Sequence, residues 1–479
     1  MLKEQGFIRV GAVVPSLRVA DTKFNSEEII QQMKNAHSKQ IQIACFPELS
    51  ITGYTCGDLF KQDILVDKSE EALRIILENT KDLDIVSILG MPLRLTNQLF
   101  NVALVLQRGK ILGIVPKTFI PNNDEFYEKR WFSSSKDTTR KEVEILGQKV
   151  PFGTDLLFRD INNKDICFGI EICEDLWAIE PPSNKLSMLG ASIIFNLSAS
   201  NEVVGKKDYR EDLIRIQSAK TVSGYIYCSS GANESTSDVV FSGHSMIFEN
   251  GTKLEENKRF NLNSNMIYTE IDTKRLINDR RKNINYISNL IDIDYREIQV
   301  DIKDELEELK REYSKTPFVP EDKKKIDEVC SEILNIQSFG LIKRLLYINT
   351  NKVIIGISGG LDSTLAFLVA VRAYEILDLP KENIMAITMP GFGTTSRTYN
   401  NAIKLIKQYG ATFKEIDIKK SILQHFKDIG HDKNDIDVTY ENAQARERTQ
   451  ILMDIANKEN GIVIGTGDLS ELALRLVYI

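Results

Sequence analysis

The pattern of apolar and polar positions in residues 1–275 switches repeatedly between two periods. Short apolar runs with many β-branched residues have the length of buried strands, and the segments between them carry apolar residues at helical spacing. In chain order, the predicted elements are strand Phe7–Val14, helix Ser26–Gln40, strand Ile41–Phe46, helix Ser69–Asn79 and strand Ile85–Gly90. This alternation predicts a layered α/β domain.

Two turn signals in the same region predict antiparallel pairs as well. The runs Asn101–Gln107 and Lys110–Val115 flank an Arg-Gly turn. Farther along, Ser245–Phe248 leads into an Asn-Gly dipeptide at 250–251, which is typical of tight hairpins. We therefore expect a sheet that mixes parallel and antiparallel strands.

The pattern changes after residue 275. Residues 276–320 lack strand patterning and are dense in charge, which predicts a helical linker. A solvated connector is the favoured interpretation of this linker, and contact with a neighbouring subunit of a homo-oligomer is the other. Residues 321–479 predict a helix over Glu328–Tyr347, a strand from Val353, a helix over Leu365–Leu377 and a strand over Ile384–Met389. This order implies a doubly wound parallel α/β domain.

Composition narrows the class of protein. The chain has 479 residues, more than one core usually serves, with 42% hydrophobic residues and a net charge of −7. The charge is spread without a long basic block, which argues against nucleic-acid binding. No apolar stretch reaches the roughly 20 residues that span a bilayer, and the first residues lack a signal-peptide core. We therefore expect no membrane association and a cytoplasmic location.

A Gly-rich turn joins the strand at Val353 to the helix that follows. In the string Ser358-Gly359-Gly360-Leu361-Asp362-Ser363, the glycines let backbone N–H groups approach a polyanion, and the helix N-terminus adds partial positive charge. A tight turn capped by serines explains the glycines but not the whole string. The string resembles the loop of the N-type ATP pyrophosphatases, which cleave ATP between the α- and β-phosphates.

That resemblance implies an ATP site and a magnesium ion bound with the nucleotide. The carboxylate of Asp362 would help to hold Mg²⁺. The residues of this chain that match the ATP-binding loop are Gly356, Ile357, Ser358, Gly359, Gly360, Leu361, Asp362 and Ser363.

Three strand ends in residues 1–275 carry chemistry. Glu48 and Lys117 each follow an apolar strand directly after a proline, and Cys173 stands where a strand gives way to a turn. Together they form a coherent set: a thiol that attacks a carbonyl carbon, a carboxylate that takes its proton and a lysine that stabilises the oxyanion. Taken singly, each has a plainer interpretation as a packed thiol, a cap or a solvated charge.

The strings around these residues resemble the nitrilase, or carbon–nitrogen hydrolase, superfamily. They are Phe-Pro-Glu-Leu at 46–49, Pro-Lys-x-x-x-Pro-Asn at 116–122, Glu-Phe-Tyr-Glu-Lys-Arg-Trp-Phe at 125–132 and Ile-Cys-Glu-Asp-Leu-Trp at 172–177. The resemblance covers residues 1–275 and implies an α-β-β-α sandwich. It also implies Cys173 as nucleophile, Glu48 as base, Lys117 as oxyanion donor and Glu128 as a second, supporting glutamate.

A nitrilase-like domain ahead of a pyrophosphatase-type loop resembles the glutamine-dependent NAD⁺ synthetases. In that family the first domain releases ammonia from glutamine, and the second adenylates deamido-NAD⁺ with ATP and amidates it to NAD⁺. The resemblance implies glutamine, ATP and deamido-NAD⁺ as substrates, with Ser200 and Lys206 at the glutamine. One position departs from the family, because Asn123 stands where a tyrosine is frequent.

Two further strings extend this resemblance. Thr388–Phe392 matches the adenosine side of the ATP pocket, and Thr466 matches an ATP contact. Asn442 matches a residue that binds deamido-NAD⁺, and Glu471 matches one that binds the dinucleotide or Mg²⁺. The plainer interpretations are a cap-region residue for Asn442 and a first-turn helix acid for Glu471.

The resemblance stops after Leu474, where the family continues through a further large segment. We therefore expect an incomplete synthetase domain in residues 321–479 and a chain that hydrolyses glutamine but makes little or no NAD⁺. A different amidotransferase or a free-standing amide hydrolase is a second possibility, and a truncated product without activity is a third.

Overall fold

The computed structural model describes residues 2–284, 286, 294–304, 306–320, 322–392, 396–469 and 471. The chain forms two compact units, Met1–Glu312 and Tyr313–Ile479, each with its own hydrophobic clusters. Two parts of the sequence predictions, the run 393–395 and the residues after Leu474, lie outside the described residues.

The first unit alternates strands and helices, as its sequence pattern predicts. Its strands are β1 Phe7–Val14, β2 Ile43–Cys45, β3 Val86–Leu95, β4 Gln98–Gln107, β5 Lys110–Pro116, β6 Glu142–Ile145, β7 Gln148–Pro151, β8 Leu156–Asp160, β9 Cys167–Ile172, β10 Ile193–Ser198, β11 Gly224–Ser229, β12 Met246–Glu249, β13 Thr252–Glu256, β14 Asn265–Asp272 and β15 Arg296–Val300. Its helices are α1 Thr22–Ser38, α2 Asp63–Thr80, α3 Glu174–Trp177, α4 Pro182–Met188, α5 Lys206–Thr221 and α6 Thr273–Lys282.

These strands build two large mixed sheets. One sheet has the order β14-β1-β2-β3-β4-β5, and the other has the order β13-β12-β11-β10-β9-β8-β15. β1 pairs in parallel with β2 and antiparallel with β14, and the hairpins β4–β5 and β12–β13 are antiparallel. The mixture expected from the two turn signals is therefore confirmed.

Alternating side chains of the strands divide between an inner and an outer layer. In β1, Ile8 and Val10 join the cluster between the sheets, which also holds Ile170 and Ile172 of β9, whereas Val13 faces helices α1 and α2. The outer face of the second sheet packs against α4 and α5. The order helix, sheet, sheet, helix is the α-β-β-α sandwich expected from the resemblance.

The segment 276–320 differs from the expected helical linker. α6 continues into it as a helix, but Arg296–Val300 forms β15, which pairs in parallel with β8 at the edge of the second sheet. Only Val300 of this strand is fully buried, so the strand has little hydrophobic signal in the sequence. The compact unit extends to Glu312, beyond the predicted boundary at residue 275.

The second unit has the doubly wound architecture that its strand-helix-strand pattern predicts. Its parallel strands lie in the order β18-β17-β16-β19, with hydrophobic clusters on both faces: Val353 and Ile355 of β16 contact one, and Ile354 contacts the other. Its elements are α7 Lys323–Ile348, β16 Val353–Gly356, α8 Leu361–Ile376, β17 Ile384–Thr388, α9 Ser396–Tyr409, β18 Thr412–Glu415, α10 Lys419–Ile429, α11 Val438–Glu459 and β19 Ile462–Ile464. Among the described residues, no helix is long and apolar enough to span a bilayer.

Candidate active sites

Three strand ends of the first unit carry the predicted catalytic residues. Glu48 follows β2, Lys117 follows β5 directly and Cys173 follows β9 directly. The loop with Glu48 lies against β3 at Gly90, where an added Cβ would come within 2.3 Å of the Leu49 nitrogen. Only glycine allows this approach, which seats the carboxylate beneath the sheet edge.

Lys117 lies between two carboxylates in the interior of the unit. Its Nζ is 2.6 Å from Oε1 of Glu48 and 2.9 and 3.0 Å from the two oxygens of Glu128. Tyr54 donates its hydroxyl to Oε1 of Glu128 over 2.7 Å, and Asn101 donates its amide to Oε1 of Glu48 over 2.6 Å. Glu48 and Lys117 are fully buried. Through these hydrogen bonds the predicted base, the predicted oxyanion donor and the second glutamate form one cluster.

Cys173 occupies a strained turn beside this cluster. Its φ of +46° lies in a region that residues other than glycine rarely adopt. The turn is held by the Cys173 amide, which donates to the Leu197 carbonyl over 2.9 Å and to Oδ1 of Asn196 over 3.2 Å. Glu48 donates its amide to the next carbonyl of β10, that of Ser198, over 3.4 Å, so base and nucleophile are anchored to the same strand end.

Burial and charge set the protonation of these groups. Burial raises the pKa of Glu48 to about 7, and the nearby Lys117 only partly offsets the rise. Burial alone would lower the pKa of Lys117, but Glu128 and Glu48 outweigh it and hold that pKa well above its ordinary value. The pKa of the Cys173 thiol is raised by burial and further by Glu48. The site therefore holds a neutral thiol, a carboxyl that titrates near neutrality and a charged lysine.

The predicted glutamine-binding residues lie just beyond the end of β10. Ser200 is buried and donates its amide to the hydroxyl of Ser229 over 3.2 Å. Lys206 begins α5, and its Nζ lies 5.5 Å and 5.6 Å from the ring centres of Phe126 and Trp177. Burial lowers the pKa of Lys206, while the nearby Cys173 acts in the opposite direction. The Lys206 ammonium also donates a hydrogen bond to Oδ1 of Asn201.

A cavity of about 220 Å³ opens beside Glu128. Its walls combine aromatic rings with three carboxylates, Glu125, Glu128 and Asp238; the rings are those of Tyr54, Phe126, Tyr127 and Trp131. Asn123, the position that departs from the family, is exposed on the neighbouring loop, where its amide contacts the Asp124 carboxylate.

The predicted phosphate loop of the second unit joins β16 to α8. Gly359 has a φ of +84°, and Gly360 is the N-cap of the helix. The loop is folded on itself: the Gly360 amide donates to Oγ of Ser358 over 3.3 Å, and the hydroxyls of Ser363 and Thr364 donate to the Gly360 carbonyl. Asp362 is exposed in the first turn of α8.

The other predicted residues of this unit share the same sheet edge. β16 lies between β17 and β19. After β16 the chain continues to β17 on one side of it, and it later returns to β19 on the other side. The carboxyl ends of these strands are therefore a topological switch point. Thr388–Phe392 follows β17 and Thr466 follows β19. Asn442 lies in α11, and within the described part of the chain its buried Oδ1 has no hydrogen-bond donor.

Glu471 takes part in a helix start. Its Oε2 accepts the Asp468 amide over 3.1 Å, and its own amide donates to Oδ1 of Asp468 over 2.7 Å. This reciprocal pair is a capping box, the plainer of the two interpretations of Glu471. Throughout the described ranges, no group of three or more His, Cys, Asp or Glu side chains is arranged to hold a metal ion.

Three further residues of the first site were not singled out from the sequence. Tyr54 contacts Glu128, Asn101 contacts Glu48, and Asp175 accepts backbone amides from the loop after Lys117 and from β9. Asn101 left a signal, because it is the one polar residue between the two ends of β4. Asp175 lies within a quoted string and Tyr54 does not, and the contacts of Tyr54 with Glu128 and of Asp175 with Phe119 join residues distant in sequence.

Comparisons with known proteins agree with both units. The family model described as carbon-nitrogen hydrolase matches residues 9–281, and the model described as NAD synthase matches residues 335–477. The chain is 38% identical to the "Glutamine-dependent NAD(+) synthetase" of Mycobacterium tuberculosis, over 98% of this chain and 71% of that protein. The chain belongs to the glutamine-dependent NAD⁺ synthetase family. Neither a free-standing amide hydrolase, nor a chain that only hydrolyses glutamine, nor an inactive fragment is favoured, because both family models match.

Two other relatives show the same coverage. The "Glutamine-dependent NAD(+) synthetase" of Aquifex aeolicus is 28% identical, over 95% of this chain and 74% of that protein. A solved structure of a glutamine-dependent NAD(+) synthetase from Cytophaga hutchinsonii covers 98% of this chain and 76% of that one, with 23% identity and a TM-score of 0.49.

Proposed function

We propose that this protein is a ligase that makes NAD⁺ from deamido-NAD⁺ with glutamine as the amido donor. The observation that carries the proposal is the buried cluster of Glu48, Lys117 and Glu128 beside the strained Cys173 turn. This cluster stands in a family whose members unite a carbon–nitrogen hydrolase with an NAD synthase.

The first half of glutamine hydrolysis forms a thioester. Sγ of Cys173 attacks the side-chain amide carbon of glutamine while its proton passes to Glu48, whose pKa of about 7 suits a base at neutral pH. Lys117, held charged by its two carboxylate neighbours, stabilises the oxyanion of the tetrahedral intermediate. When the intermediate collapses, Glu48 returns the proton to the leaving nitrogen, and ammonia departs.

The second half hydrolyses the thioester. Glu48 takes a proton from water, the hydroxide attacks the thioester carbon, and glutamate leaves as the proton returns to the Cys173 sulfur. Glu128 keeps Lys117 in place and charged through both halves, because its two oxygens accept hydrogen bonds from the lysine. Ser200 and the cationic end of Lys206 orient the amino-acid end of the substrate.

The second unit supplies the nucleotide chemistry. The backbone amides at Gly359 and Gly360 and the N-terminus of α8 bind the phosphates of ATP. ATP transfers its AMP to the carboxylate of deamido-NAD⁺ with release of pyrophosphate, and ammonia then displaces AMP to form the amide. Thr388–Phe392 and Thr466 border the nucleotide, and Asn442 presents its buried oxygen to deamido-NAD⁺.

Magnesium fits this site as a companion of ATP. An ion that arrives on phosphates needs only one or two protein carboxylates, and the exposed Asp362 in the first turn of α8 fits that need. Glu471 fits less directly, because its Oε2 already accepts the Asp468 amide. When bound, the ion neutralises phosphate charge.

The test is to mix the purified chain with glutamine, ATP and deamido-NAD⁺ and to assay glutamate, AMP and NAD⁺ separately. Cys173→Ala should abolish glutamate formation, while NAD⁺ formation from added ammonia survives. Cys167→Ala is the matched control, since Cys167 is an equally buried thiol at the other end of β9. Glutamate formation by Cys173→Ala, or its loss in the Cys167 control alone, would contradict the assignment of the nucleophile.

A further inference from the structure

A single buried carboxylate joins the two backbone segments that carry the nucleophile and the oxyanion donor. Oδ2 of Asp175 accepts the amide of Ile172, the last residue of β9, over 2.9 Å. Oδ1 accepts the amides of Thr118 and Phe119, the two residues after Lys117, over 3.0 and 2.7 Å. Asp175 is 2% exposed, so these contacts form away from water.

The two sides of this contact belong to different sheets. Ile172 precedes Cys173 at the end of β9, whereas Thr118 and Phe119 continue the loop from β5. β5 is an edge strand of the first sheet, and β9 lies inside the second. Strand pairing therefore does not fix the distance between Cys173 and Lys117. Asp175 adds a buried link between the two sheets to the one made by the Glu48 amide with the Ser198 carbonyl.

We propose that Asp175 is a positioning residue that holds the Cys173 turn and the Lys117 loop in register for attack on the substrate amide. The proposal rests on the proposed glutamine hydrolysis and adds the means by which its two sheets act together. Both carboxylate oxygens of Asp175 accept hydrogen bonds from backbone amides, so its effect is on the alignment of the two segments. Misplacing a reacting group by about 1 Å can lower a rate by about 10²-fold.

The substitution Asp175→Asn tests the alignment of the two backbone segments, because it keeps the size of the side chain and removes one of its acceptor oxygens. The amide keeps one acceptor oxygen, so one of the two backbone segments meets an N–H group in place of an oxygen. The Cys173 turn keeps its other supports, the Leu197 carbonyl and Asn196. We therefore expect kcat for glutamate formation to fall on the order of 10²-fold. KM should change far less, and the rate at which iodoacetamide alkylates Cys173 should stay within a few-fold of wild type.

Asp160 offers a matched control. It is also 2% exposed, and it accepts the backbone amides of Asn163 and Ile302 over 2.8 and 3.0 Å, at the end of β8 and away from both catalytic loops. Asp160→Asn loses a comparable acceptor and also the charge that pairs with Lys3 Nζ over 2.8 Å, so it should lower the melting temperature at least as much as Asp175→Asn does. It should leave kcat for glutamate formation near that of wild type.

Each outcome of the comparison decides the question. A kcat loss in Asp175→Asn alone, with Cys173 alkylation retained, supports the proposal. Equal kcat in the two variants, or a loss of alkylation that parallels the loss of kcat, overturns it in favour of a purely structural role. If Asp175→Asn does not fold, Asp175→Glu keeps both acceptors and should fold with a reduced kcat; a wild-type kcat there also overturns it. Absence of glutamate formation by the wild-type chain would instead refute the proposed function.

Discussion

At the scale of single residues, the chemistry of the first site follows from one shifted carboxyl. In the proposed mechanism Glu48 must be ionised to take the proton of Cys173, and burial raises its pKa to about 7. We therefore expect kcat/KM for glutamate formation to fall about tenfold per pH unit below about pH 7 and to level off above it. Initial rates measured across that range check this, and a profile that is flat through neutrality would rule out Glu48 as the base.

A substitution at Asn101 provides a second test of the pKa of Glu48. Its amide donates to Oε1 of Glu48, which favours the ionised form and lowers the pKa. Asn101→Ala removes that donor, so the pKa of Glu48 should rise and the acid limb of the kcat/KM profile should move to higher pH. A limb that stays in place, or moves to lower pH, would show that the hydrogen bond does not act on the ionised base.

The two glutamates beside Lys117 should respond differently to loss of charge. In Glu48→Gln the amide oxygen can keep both donors, Lys117 and Asn101, and the new N–H₂ takes the place of Oε2, which has no partner within the described residues. In Glu128→Gln the remaining oxygen can still accept from Tyr54 and Lys117, but the new N–H₂ takes the place of Oε2, which lies 3.0 Å from the Lys117 ammonium.

We therefore expect Glu48→Gln to keep the melting temperature at pH 8 while its glutamate formation falls by at least about 10²-fold. Glu128→Gln should lose about 1–3 kcal/mol of unfolding free energy, because its new amide donor faces the buried Lys117 ammonium in place of an acceptor. Differential scanning calorimetry of the two variants, side by side, decides between this account and one in which both carboxylates serve mainly to stabilise the fold. Equal losses of stability would favour the second account.

The proposed catalytic residues could be singled out from the sequence because each closely follows the end of an apolar strand. Glu48, Lys117 and Cys173 needed no knowledge of which strands are neighbours, only that strand ends gather polar groups. Asp175 could not be assigned that way, because its importance lies in an acceptor shared between two sheets. Glu471 is the opposite case. The sequence around it resembles a binding site of the family, but its side chain caps the start of a helix.

At the scale of elements, two glycines with positive φ in the second unit allow the effect of backbone strain to be distinguished from the effect of lost ligand binding. Gly359, in the phosphate loop, has a φ of +84°, and Gly410, in the turn between α9 and β18, has a φ of +72°. Alanine at either position should cost about 1–2 kcal/mol. In the proposed ATP site, only Gly359→Ala also reorients backbone amides that face the phosphates of ATP.

We expect AMP formation to fall strongly in Gly359→Ala and to stay near wild type in Gly410→Ala, with glutamate formation unaffected in both. The measurement is AMP release from ATP with deamido-NAD⁺ and added ammonia, so that the first unit is not needed. If the two variants lost AMP release to the same extent, general strain in the second unit would explain the result and the loop would have no special part.

Elements were predicted well where the apolar run is continuous, as in β1, which is buried on both faces and whose bounds match the expected Phe7–Val14. β15 was missed, because an edge strand with charged and polar side chains has almost no apolar alternation to detect. Its place in the sheet comes from backbone pairing with β8, an interaction that the local sequence does not encode.

At the scale of the whole molecule, the chain after α6 completes the first unit. Val300, Ile302 and Leu306 are at most 5% exposed. The Arg311 guanidinium donates to both oxygens of the buried Glu249, over 2.7 and 2.8 Å. The Arg9 guanidinium donates to the Glu308 carbonyl over 2.7 Å. These contacts explain why the compact unit ends at Glu312 and not at the boundary suggested by charge density.

A fragment of residues 1–312 should therefore fold and hydrolyse glutamine, whereas a fragment of residues 1–282, which ends with α6, should not fold stably. Removing three buried aliphatic side chains, and exposing the surface that they cover, costs on the order of 5 kcal/mol, which is comparable to the whole stability of many domains. The shorter fragment also leaves the Glu249 carboxylate without Arg311. Thermal melts and glutamate assays on both fragments check this, with the full chain as reference. Equal melting temperatures for the two fragments would mean that residues 283–312 are a connector after all, as the sequence pattern alone suggests.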